Sequence, residues 1–73
     1  MNEELIHYAQ QILHNRVMYW RNYSKRAFDI GLKEGGERAA ARAGAYQSAC
    51  DILLAAVLGE EEILEQFDYY APD

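Results

Sequence analysis

Residues 39–67, AAARAGAYQSACDILLAAVLGEEEILEQF, decide how this chain folds. Within them Ala39, Ala43, Tyr46, Cys50, Leu53, Val57, Glu60, Leu64 and Phe67 alternate steps of four and three residues, and only Glu60 is polar in kind. Ala49, Ala56 and Ile63 widen the stripe. Apolar residues recurring at that spacing draw a line along one side of an α-helix, the pattern by which helices pack into bundles. The phase survives Gly59, so the spacing predicts one helix over residues 37–67. A glycine stop at Gly59, with Glu60-Glu61-Glu62 opening a new helix, is the alternative. The predicted core and dimer seam is Ala43, Tyr46, Cys50, Leu53, Val57, Leu64 and Phe67.

Toward the N-terminus a second stripe runs through Leu5, Ile6, Ala9, Ile12, Leu13, Val17, Trp20, Ala27, Ile30 and Gly31. It predicts a helix over residues 2–33, with Asn2 as N-cap and Glu3 and Glu4 at the positive end of its dipole. Gly35-Gly36 predicts a turn over 34–36, because glycine adopts the left-handed geometry that ends helices. A break capped by Ser24 is the alternative. No run alternates with period two, so no strand is expected. Residues 68–73 read as a tail, lightly docked through Tyr69 and Tyr70.

The expected fold is therefore all-α, a single antiparallel two-helix hairpin over 1–73. Such a hairpin leaves part of each apolar stripe wet. The first helix carries Trp20 and Phe28 besides its aliphatics, and on the second Ala41, Ala45, Ile52 and Leu54 fall outside the seam. Pairing of two hairpins into a four-helix-bundle homodimer follows as an expectation.

Composition sets the outer limits. The chain has 73 residues and a formal charge of −5, too little for a second domain or for repeated βαβ units. Half of it is hydrophobic (51%), which separates it from disordered acidic tails. The lone Cys50 excludes an internal disulfide and reads as a small buried hydrophobe from a reducing compartment. Met1-Asn2-Glu3-Glu4 is acidic where an export signal is basic, and Ile52–Leu58 is too short an apolar run to cross a bilayer. A cytoplasmic protein without a membrane partner is expected.

The net charge hides a polarity. All seven basic residues lie between Arg16 and Arg42, opposed there by Asp29, Glu34 and Glu37, for a net +4. Residues 43–73 carry −7 and residues 1–15 carry −2. In a hairpin, the turn half is basic and the half with both chain ends is acidic. An antiparallel dimer would set unlike halves together.

Two patches are candidate sites. Arg16, Tyr19, Tyr23, Arg26 and Ile30 share a helical face, with Trp20 beside it. Aromatic and arginine side chains are enriched at protein interfaces, so Arg16, Tyr19, Trp20, Tyr23 and Arg26 are the predicted partner-binding residues. The same mixture suits single-stranded nucleic acid, with rings to stack bases and cations for phosphates. In size and layout the chain is similar to the Rop-type RNA-binding proteins, which are also short, acidic, dimerising hairpins. Glu61, Glu62, Glu65, Asp68 and Tyr69 make an acidic patch, and mimicry of nucleic-acid phosphate is a third reading.

Catalytic patterns are incomplete. Glu61-Glu62-Ile63-Leu64-Glu65 resembles the metal-binding EExxE run of MazG-type pyrophosphatases, whose second acidic motif on a following helix has no counterpart here. Glu4-Leu5-Ile6-His7 has the spacing of a di-iron bundle ligand pair but falls at the edge of the buried stripe. No enzyme activity, metal or cofactor is expected. Gly44-Ala45-Tyr46, followed by Ala49, Asp51, Ile52 and Leu53, resembles a G-x-Y-x-x-A-x-D-x-L helix of short helical phage and prophage proteins. That resemblance implies a small non-enzymatic interaction protein, acting by surface binding as an inhibitor of a host enzyme or defence complex.

Overall fold

The computed structural model describes residues 3–69, which form three helices: α1 (Glu3–Asp29), α2 (Lys33–Leu58) and α3 (Glu61–Tyr69). The two long helices pack against each other as an antiparallel hairpin, and α3 packs on α2 without touching α1. The chain is all-helical among the described residues.

Both long helices end in the same way. Gly31 takes φ +83°, the Leu32 amide donates to the Ala27 carbonyl (2.8 Å) and the Gly31 amide to that of Phe28 (3.0 Å). Gly59 takes φ +73°, the Glu60 amide donates to Ala55 (2.9 Å) and the Gly59 amide to Ala56 (3.3 Å). These are Schellman closures, in which a left-handed glycine folds the chain back so that the last carbonyls still find donors. The left-handed region costs a residue with Cβ roughly 1–2 kcal/mol, which is why glycine stands at both joints.

Three boundary expectations are corrected by this. The turn lies at Ile30–Leu32, not at 34–36, and Gly35 and Gly36 sit inside α2. The second long helix is not continuous through Gly59: it stops there, and Glu61 and Glu62 open α3. Asp68 and Tyr69 are helical rather than part of a tail, while Asn2 and residues 70–73 lie outside the described residues. The heptad phase resumes beyond Gly59 because α3 still needs Leu64 and Phe67, both half-buried, on its inner side.

Gly36 has a different task from turning. Its missing side chain lets α1 come close: a Cβ built there would meet the Phe28 ring at 2.7 Å. At the same contact the Ser24 hydroxyl donates to the Gly36 carbonyl oxygen (2.7 Å). Ser24 is thus a buried mid-helix residue that ties α1 to α2, not the cap of a new helix.

The interface between the long helices is built of small residues. Val17, Ala27, Ala39 and Ala43 are buried, with Ile6, Ala9, Leu13, Trp20, Tyr46, Cys50 and Leu53 half-buried around them; Ala55, also buried, lies off this line beside the Gly59 joint. Val57, expected in the seam, is exposed, since α2 is near its end there. Leu5 and Ile12 from the predicted first stripe are also exposed. The molecule measures 44 × 29 × 14 Å, a slab only one helix thick. Such a layer has two broad faces, and neither is covered by another element among the described residues.

Candidate interaction face

Moving the turn to Gly31 changes which residues stand side by side. Arg42 lies beside Trp20, its guanidinium carbon 4.6 Å from the ring centroid, and Leu13 and Ala49 line one groove together. With a turn at Gly35, Arg42 would have stood eight residues nearer the bend than Trp20 does. The structure thus brings two basic residues of α2, Arg38 and Arg42, to the aromatic group of α1.

The helical repeat sorts the exposed residues of α1. The inward line runs through Leu13, Val17, Trp20, Ser24 and Ala27. About a quarter-turn away lies a second line: Tyr8, Ile12, Tyr19, Tyr23, Arg26 and Ile30, stepping mostly by three or four. Large apolar groups on it are open to solvent, with Tyr8 63%, Tyr19 55% and Ile30 72% exposed. On α2 a second line passes through Arg38, Arg42, Ala45, Ala49, Ile52 and Ala56, in steps of four and three throughout.

These two lines face the same way. In antiparallel helices, stripes rotated in the same sense from the contact line emerge on one side of the pair. Three shallow grooves show the result: Tyr23, Arg26, Ile30 and Leu32 line one, Trp20, Tyr23, Arg38 and Arg42 the next, and Leu13, Arg42, Ala45 and Ala49 the third. Together they run down one face of the slab. The opposite face carries His7, Gln11, His14, Arg21 and Lys25 on α1 and Asp51 on α2, with Phe28 and Met18 as its apolar exceptions, while Glu37 and Ser48 point outward from α1.

Within the aromatic group Trp20 is the hub. Tyr19 meets it edge-on at 5.1 Å between centroids, Tyr23 is tilted at 5.5 Å, and Arg42 covers the ring. The indole is half-buried while both tyrosines are exposed, so the cluster is rigid at its base and open at its rim. Edge-to-face rings and a stacked guanidinium contribute about 1 kcal/mol each, which holds these side chains in place before any partner arrives.

The predicted partner-binding residues Tyr19, Trp20 and Tyr23 are therefore gathered, and Arg26 joins them in the groove toward the turn. Arg16 is exposed one turn before Trp20. Arg38, Arg42 and the alanine line of α2 were missed, although their own four-and-three spacing was there to be read. Of the acidic patch, Glu61, Glu62 and Glu65 are exposed on α3, at the end away from the turn, and the side chains of Asp68 and Tyr69 lie outside the described residues.

The metal-like spacings do not converge. His7 Nδ1 donates to Gln10 Oε1 (3.1 Å), and no three His, Cys, Asp or Glu side chains gather as a metal site among the described residues. None of the helices described is long and apolar enough to cross a membrane. Comparison with protein-family models, curated proteins and solved structures found no match, so the functional reading rests on the face itself.

Proposed function

We propose that the chain is a non-enzymatic interaction protein that works as a homodimer. Two hairpins close on their aromatic and alanine lines to make a four-helix bundle, and the assembled bundle acts on other macromolecules by surface contact. One observation carries this reading: a slab 14 Å thick exposes two heptad-spaced lines on the same face, one of large side chains and one of small. Heptad spacing on a single helix face has a packing use only opposite another helix. An inhibitor of another protein, the form implied by the phage-type resemblance, is one such contact role.

Light scattering across a dilution series tests the dimer: twice the 8.4 kDa chain mass at micromolar concentration supports it, and a monomer throughout overturns it. A nuclease-treated pull-down that recovers one protein partner supports the contact role.

The groove between Trp20, Tyr23, Arg38 and Arg42 favours a second reading, binding of single-stranded nucleic acid by an open hairpin. Rings and guanidinium groups alternate there as base stacking and phosphate pairing require. Trp20 is the only tryptophan, so its fluorescence reports that site alone. Quenching by an oligonucleotide, lost in Arg38→Ala/Arg42→Ala, would support this reading over the dimer.

A further inference from the structure

We infer that the second copy lies antiparallel on this face, its basic turn end over the acidic open end of the first. The inference rests on the dimer reading above and deepens it by fixing orientation and register. Charge position carries it. The turn end, residues 25–38, holds Lys25, Arg26, Lys33 and Arg38 against Asp29, Glu34 and Glu37, a net +1, while the open end holds Glu3, Glu4, Glu60, Glu61 and Glu62 with no basic residue among them. Among the described residues only two ion pairs form, Lys33–Glu37 at 4.0 Å and Arg38–Glu34 at 3.9 Å, and both are strongly exposed. They leave the charge imbalance between the two ends in place. Stacking two copies with turn over turn would set basic end against basic end and acidic against acidic. Like charges brought together disfavour that arrangement, whereas reversal brings unlike ends together.

A two-fold axis lying between the stacked faces and crossing α1 near Arg16 reverses the hairpin and sets α1 over α1 and α2 over α2 of the second copy. The alanine line of α2 then faces its own copy, where small side chains let the two layers approach to ordinary helix–helix distance. Gly44 lies on the opposite face, with nothing within 4 Å of a Cβ there, and takes no part.

The orientation is measurable from the turn. Asp29 is exposed, near the turn and outside the face. A spin label on Asp29→Cys, in a Cys50→Ala background, reports the distance between the two turn ends. Antiparallel packing puts them about 40 Å apart, the length of α1 at 1.5 Å per residue, and the opposite orientation brings them within roughly 20 Å. The unlabelled native chain supplies a second readout. Raising salt from low to high should weaken an antiparallel dimer at least about threefold, and should tighten one with like ends together. A long distance with salt weakening supports the inference. A short distance, or tightening by salt, overturns the orientation while leaving the dimer standing. A native chain that stays monomeric overturns the dimer and the orientation with it.

Discussion

The hydroxyl of Ser24 donates to the carbonyl oxygen of Gly36 across the hairpin, 2.7 Å away and buried. It joins two helices whose remaining contact is mostly alanine, so it sets their register at the end nearest the turn. Ser24→Ala keeps the volume nearly unchanged and removes only the donor. The expected loss is about 1 kcal/mol, a fall of roughly 4–8 °C in melting temperature for a domain of this size, read by thermal denaturation.

The glycines inside α2 separate propensity from packing. Gly44→Ala adds a methyl group in open space and should stabilise the helix by up to about 1 kcal/mol. Gly36→Ala has the same propensity gain but drives a methyl group into the Phe28 ring, and overpacking of that kind costs about 1–3 kcal/mol. Gly36→Ala should therefore melt no higher than the native chain and clearly below Gly44→Ala.

The two left-handed glycines should respond differently to the same change. Gly31→Ala strains a turn the hairpin needs, at about 1–2 kcal/mol in its melting transition. Gly59→Ala has an escape: α3 touches only α2, and the heptad phase continues across the joint. The chain there can straighten into one helix, so far-UV circular dichroism should show equal or greater helicity, with the α1–α2 melt little changed.

Single substitutions on the face should act on association rather than on the hairpin. Ala49→Asp and Tyr19→Asp each bury a carboxylate in the proposed interface, and sedimentation velocity should find the monomer. Ser48→Asp, one residue away and pointing outward from α1 rather than into the face, carries the same charge and should leave the dimer as in the native chain. Retained helicity in all three keeps the comparison one of association.

Much of this arrangement was legible in the residue spacing. The inward lines of both helices, ending in Val17, Ala27, Ala39 and Ala43, follow from apolar periodicity alone. The bend did not, because Gly31 and the Gly35-Gly36 pair look alike in a sequence while the structure uses them oppositely. Gly31 needs a backbone angle, and Gly36 needs room for Phe28. The error moved the register of α2 against α1 by several residues, and so hid the meeting of Arg42 with Trp20. Gly59 was misjudged for a related reason: the seam residues repeat across it whether or not the helix does. The residues Ala45, Ala49, Ile52 and Ala56 were read as apolar surface, two of them widening the seam and two outside it, but with the bend misplaced nothing joined them into one line beside Arg38 and Arg42.

A slab one helix thick also bears on how the chain reaches its fold. Beyond local helix contacts, every tertiary neighbour in the hairpin is reached by closing a single three-residue bend, without threading or layering. Low contact order of this kind belongs to the fastest folders, on microsecond to millisecond timescales. Meeting a second copy is a bimolecular event, slowed in proportion to dilution. At low concentration the hairpin should therefore form well before it finds its partner, giving refolding two phases, of which only the later one depends on how much protein is present.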